Sequence, residues 1–277
     1  MTGFEHLTQH VPQIAEALGA LEGGRRVFGP TLDLIGDTLQ GYVGASWPLR
    51  NIRRVVDAAA AKSAGQPDDA APALRASVEI LRQAAVAEDE VMADYLGGVL
   101  ASARAGGTDD AVVWTSLIGR MSSAELHVHY TIHAALREAA LVLRDALSDL
   151  SLGNSPARSV LQFFIPYDGS GGLLHALGEV GAPETRLDAA CFGLLREDLL
   201  DRVPGCAWGQ PEEISQVWPG ARDRGIVATP SVFGVSLFLW GHGVGHRGLD
   251  AFLDPGLDLT GVSEIAIPTA SLCHFTV

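Results

Sequence analysis

Between Pro72 and Arg104, apolar residues recur at the spacing of one helix face: Leu74, Val78, Leu81, Ala85, Met92, Leu96 and Leu100. The rhythm slips once, at Glu88–Asp89–Glu90. At ~1.5 Å per residue the stretch would give about 50 Å of unbroken helix, longer than most globular helices. The slip predicts one helix bent at the acidic patch, or two helices meeting there. The segments before it carry helical stripes of their own. Phe4–Leu21 places Val11, Ile14, Leu18 and Leu21 on one face, and Gly23–Gly24 ends it. Pro30 opens a second helix, with Leu32, Ile35, Leu39, Tyr42 and Val43 in its stripe, and Pro48 kinks or restarts it. Asn51–Lys62 continues it, and residues 63–71 form a polar linker rich in Pro and Gly.

After Gly106–Gly107, Thr108 or Asp109 can cap a short helix over Ala111–Met121. Ser122 and Glu125 then have the spacing of a capping box, which launches a helix from Ala124 to about Leu150. Regularity is lost over residues 151–172, which read as an irregular insertion. Two short helices follow, Leu173–Val180 and Glu184–Leu200, then a loop over Val203–Gly220 holding Trp208 and Trp218. Gly225–Thr229 reads as a short strand and Ser231–Trp240 as a helix, and Ile265 and Ile267 alternate as in an edge strand. The fold class expected is mainly α. A helical bundle over residues 1–121 precedes a winged-helix-like α module with a small β part over residues 122–277. The winged-helix expectation rests on the order of elements from residue 124 to 229.

Composition narrows the function classes. Apolar residues make up 47% and charged residues 19% of 277, as in an ordinary globular protein. The net charge of −14 disfavours nucleic acid and anionic membrane as partners. The helix over residues 184–200 would be the groove reader of a winged helix. It sets Arg186, Arg196 and Arg202 against Glu184, Asp188, Glu197, Asp198 and Asp201, a poor balance for binding phosphate. A module used for protein contact or homo-oligomerisation fits that charge better. Lys62 is the chain's lysine; the rest of its 19 basic residues are arginines. Three cysteines without CxxC spacing argue against a disulfide framework or zinc knuckle, so a reducing cytoplasm is expected. The first residues show no basic segment followed by an apolar core, so no signal peptide is expected. Gly225–Gly241 is uncharged, but Pro230 cuts it below the ~20 residues a membrane span needs.

Four groups of residues could carry chemistry. Glu125, His129 and His133 fall at i, i+4 and i+8, so one helix face could grip a metal ion and support a metal-dependent hydrolase. The HExxH signature is missing, and a polar packing face is the plainer reading. Gly241–His246, GHGVGH, is too rich in glycine for a helical ligand pair and lacks the ending of a phosphate loop. Ser170 fails the spacing of a nucleophile elbow, so residues 168–172 read as a turn. Glu88, Asp89, Glu90 and Asp94 form an acidic face, with Asp89 or Asp94 expected to pair with Arg50, Arg53 or Arg54. None of these yields a catalytic set, and no cofactor is expected.

Three blocks carry a family resemblance: residues 30–62, PTLDLIGDTLQGYVGASWPLRNIRRVVDAAAAK; residues 80–103, ILRQAAVAEDEVMADYLGGVLASA; and residues 111–132, AVVWTSLIGRMSSAELHVHYTI. They resemble, in turn, the opening, the acidic dyad with its apolar helix, and the Ser-x-x-Glu helix start of Abi-alpha, the abortive infection alpha family of bacteria. Ile226–Trp240, with Thr229 and Gly234, is similar to that family's C-terminal strand end and apolar helix. The resemblance implies a role in phage defence, and with the lack of a catalytic set it leads to the expectation of a non-enzymatic sensing or protein-interaction component. It brings no active-site residues with it. A winged-helix transcription regulator and a metal-dependent hydrolase stand as the alternatives.

Overall fold

The structure, a computed structural model, describes residues 24–28, 46–66, 70–106, 109–142, 163–167, 183–201, 207–215 and 223–259. The expected helix Phe4–Leu21, most of the helix opened by Pro30, the turn at 168–172, the helix Leu173–Val180 and the edge strand near Ile265 lie outside the described residues. The fold is mainly helical with one small sheet. The chain divides into two compact units, one of residues 1–120 and 239–248, the other of residues 121–238 and 249–277.

In the first unit, helix α1 spans Gly24–Phe28, α2 Ser46–Lys62, α3 Leu74–Val86, α4 Glu90–Gly106 and α5 Ala111–Ile118. Pro48 stands in the first turn of α2, where its missing N–H costs nothing. The stretch from Pro72 to Arg104 is two helices meeting at the acidic patch. Asp89 makes the break: its Oδ1 accepts the amides of Val91 at 2.9 Å and Met92 at 3.2 Å, capping α4. From Val91 to Arg104 all residues of α4 except Met92 and Asp94 are buried, the pattern of a helix enclosed by others. It packs against α2, α3 and α5. Two adjacent glycines permit this. A Cβ on Gly97 would come 2.6 Å from the Ala58 Cβ on α2, and one on Gly98 would run into the backbone carbonyl of Gly241. The helix after Gly106 is shorter than expected, ending at Ile118, and its N-cap is Asp110, which makes no side-chain cap bond.

In the second unit, α6 spans Ser123–Val142, β1 Phe163–Pro166, α7 Pro183–Arg196, β2 Ala207–Gly209, α8 Pro211–Ile214 and β3 Gly225–Ala228. The strands β1 and β2 correct the sequence reading, which placed an irregular insertion and a loop there. Both pair antiparallel with β3 in the order β1–β3–β2, with Ile165 opposite Ile226 and Ala207 opposite Val227. Phe164, Ile214 and Val227 form a core against the sheet. Helix α9, Val232–Gly241, follows Pro230 as expected; its first turn is capped by Ser231, whose Oγ accepts the Gly234 amide at 2.9 Å. No described helix is long and apolar enough to cross a membrane.

Candidate functional site

The face of α6 singled out by spacing is assembled in the second unit. The capping box forms as read: Ser122 Oγ accepts the Glu125 amide at 3.2 Å, and Glu125 Oε2 accepts the Ser122 amide at 2.6 Å. Glu125, His129 and His133 are all buried, at 7%, 0% and 0% exposure. They point toward α7 and the start of α9. Glu125 Oε1 accepts from Arg196 of α7 at 3.3 Å, and Gly193 of α7 lies so close that any side chain there would meet the carboxylate.

The two imidazoles stack with centroids 4.1 Å apart. His129 Nε2 faces the Gly234 carbonyl at 3.0 Å, and His133 Nδ1 faces the His129 carbonyl at 2.8 Å. A carbonyl can only accept, so each of those ring nitrogens carries the proton. The remaining nitrogen of His133, Nε2, holds a lone pair that is buried beside Gly234 without a hydrogen-bond partner. Burial pushes the His133 pKa down to about 4, so the ring is neutral at pH 7. A metal ligand must offer a lone pair. Each neutral ring keeps one, on His129 Nδ1 and His133 Nε2, while Glu125 is held by a cap and an arginine. Among the described residues, no group of three or more His, Cys, Asp and Glu is arranged to hold a metal ion.

A second polar centre, in the first unit, was not singled out from sequence. Lys62, the last residue of α2, is held in three ways. Its Nζ pairs with Asp94 Oδ2 at 2.6 Å and donates to the carbonyls of Asp94 and Gly241, each at 2.8 Å. All three ammonium hydrogens thus have acceptors. Burial lowers its pKa, opposed by the Asp94 charge. The arginine expected on Asp94 is therefore corrected to Lys62, whose compact head can serve two helix ends at once. Arg54 donates instead to the Glu88 carbonyl at 3.2 Å, and Arg53 lies 3.6 Å from Asp57. The one visible signal for Lys62 was its being the sole lysine among arginines.

The GHGVGH segment joins this centre. Helix α9 ends at Gly241, and a 3₁₀ turn follows at Gly245–Arg247. Ser102 Oγ donates to the Trp240 carbonyl at 3.1 Å and accepts the Gly245 amide at 3.0 Å. His242 is buried, edge-on to the Tyr95 ring at 6.5 Å, whereas His246 is exposed. No family model, no curated protein and no solved structure matches the chain.

Proposed function

We propose that the protein acts by binding, as a sensing or protein-interaction component, and not by catalysis. One observation carries this reading. The side chains most able to do chemistry are engaged in holding helices together: Glu125 in a capping box and an ion pair, His129 on the Gly234 carbonyl, Lys62 on Asp94 and Gly241. A nucleophile or general base needs open access to a substrate, whereas Glu125 and His129 are buried and the Lys62 side chain is 14% exposed. The setting in phage defence rests on the three sequence blocks that resemble Abi-alpha, and on them alone.

The test is phage plating on the native host. Deletion of the gene is expected to raise plating efficiency for part of a broad phage panel, and Glu125→Gln, which keeps the cap acceptor, is expected to restore protection. Unchanged plating across the panel would remove the defence role. Loss of protection in a folded Glu125→Gln protein would favour a metal-dependent hydrolase.

The second unit supports a finer reading. Its order α6, β1, α7, β2, α8, β3, with β3 between the other strands, is compatible with a winged-helix-like module. Charge favours protein contact over DNA for it. Arg196 lies against Glu125 and Glu197, and Arg224 against Glu184 at 3.1 Å, so these arginines already have acidic partners. A gel shift with DNA from around the gene is expected to show no salt-sensitive complex. A tight one would make the protein a transcription regulator.

A further inference from the structure

Val113 and Trp114 from the first turns of α5, Trp240 near the end of α9, and Gly245, His246 and Gly248 after it line a pocket of about 520 Å³. All of these residues belong to the first unit. That volume suits a small organic molecule, for which sites of roughly 300–1,000 Å³ are usual. The aromatic part of the lining is held in place. The Trp114 and Trp240 indoles stack with centroids 6.0 Å apart and planes 28° from parallel. Trp240 is fixed by the bond from Ser102 to its carbonyl, and Gly245 lies so close to its ring that a Cβ there would collide with it. Gly248, at φ +74°, takes a backbone conformation that favours glycine, and a Cβ there would meet nothing within 4 Å. The space beside it is therefore open.

The lining offers a ligand no charge to pair with. Asp110, just before α5, lines the pocket but has an interaction of its own, and so has Arg247, which stands outside the lining. Among the described lining residues there is no lysine or arginine, so a phosphate or carboxylate would find no cation there. The amides of Val112 and Val113 already bond the carbonyls of Asp109 and Asp110. The His246 pKa is lowered, by partial burial of its ring and then by the Arg247 cation, so the imidazole is neutral at pH 7. An ion entering this pocket would give up hydration with no opposite charge to replace it.

We propose that this pocket binds a small uncharged aromatic molecule with fused rings, laid against the Trp114 and Trp240 indoles. Indole favours an aromatic neighbour over a saturated one, because offset-stacked and edge-on contacts both bring the positive edge of one ring toward the negative face of another. Each of the two tryptophans is 8% exposed, so the accessible part is narrow. A thin, flat ring system fits against it where a puckered one of the same carbon count is held off. The inference goes beyond the binding role proposed above and stands apart from the defence setting, since it is read on purified protein without phage.

Calorimetric titration of the full chain with 2-naphthol, its saturated counterpart decahydro-2-naphthol, 2-naphthoate and 2-naphthylmethylammonium tests it. Naphthol is expected to saturate a single site, about fivefold or more tighter than the saturated alcohol. The anion and the cation are each expected to bind more weakly than naphthol. Nuclear Overhauser contacts from bound naphthol are expected at the Trp114 and Trp240 indoles. Val113→Trp puts a large apolar side chain at an exposed lining position, where it would occupy the pocket itself. With circular dichroism checking the fold, that variant is expected to weaken naphthol about fivefold or more. Tighter binding of either ion, or equal binding of the saturated alcohol, would overturn the proposal. So would contacts confined to other residues, an unchanged naphthol affinity in Val113→Trp, or no saturable binding by the folded protein.

Discussion

A proton added to His133 would have to sit on Nε2, which is buried beside Gly234 with nothing to accept from it. The ring therefore titrates at about 4 in the fold, against 6.5 when unfolded. Between those values the unfolded chain holds a proton that the native state refuses, so stability falls as pH drops from 6.5 toward 4. The loss is about 2 kcal/mol at pH 5 and about 3 kcal/mol near pH 4. His133→Leu removes the group and keeps an apolar filling against Phe238, whose ring stacks 6.1 Å away. In urea unfolding, the decline from pH 7 to pH 5 is expected to be about 2 kcal/mol smaller in the variant than in the parent. Equal declines would show that the imidazole is not held neutral. Lys62 gives a test of the opposite kind. Lys62→Met leaves the Asp94 carboxylate, 19% exposed, and the Gly241 carbonyl without their donor. It is expected to cost about 2 kcal/mol, below the usual cost for a fully buried pair, and Lys62→Met with Asp94→Leu is expected to recover part of that. If the double variant loses the sum of both single changes, the two groups are not coupled.

At the scale of elements, the contact most sensitive to one methyl group is where α4 meets the end of α9. Gly98→Ala would set a Cβ into the Gly241 carbonyl, and backbone cannot rotate away as a side chain can. The helices would have to part, at a cost of about 3 kcal/mol, read as a lowered urea midpoint with an unchanged slope. The neighbouring glycines were visible in the sequence as LGG, but what each one admits was not, because Gly241 arrives from far along the chain. The same limit divides what was legible from what was not. The break at Asp89 and the capping box at Ser122 are set by residues within three positions of one another, so local spacing revealed both. The strands β1 and β2, of four and three residues, are too short to show alternation, and pairing with β3 alone makes them strands. On α6 the row Glu125, His129, His133 was plain, yet its use was hidden. The carbonyl that takes the His129 proton lies 105 residues away, and the one that takes a Lys62 proton lies 179 away.

For the chain as a whole, a reading in sequence order cuts once, near residue 122, and has no means of sending a later segment back. Residues Leu239–Gly248 make that return and belong to the first unit. What they bring is specific: Trp240 to stack on Trp114, the Trp240 carbonyl for Ser102, the Gly241 carbonyl for Lys62, and the Gly245 amide for the Ser102 oxygen. A chain ending at Phe238 would leave those buried donors and acceptors unmet and uncover Trp114, which is 8% exposed. Loss of a buried tryptophan alone costs about 3–5 kcal/mol, a large share of the stability of an ordinary domain. The truncated chain is therefore expected to unfold its first unit at markedly lower urea and to bind a hydrophobic dye at concentrations where the full chain does not. A folded control is Val113→Arg, which alters the surface of the same unit at a position 59% exposed and is expected to keep the urea midpoint of the full chain. If the truncated chain kept it too, the returning segment would be an attachment to the first unit and not a part of its core.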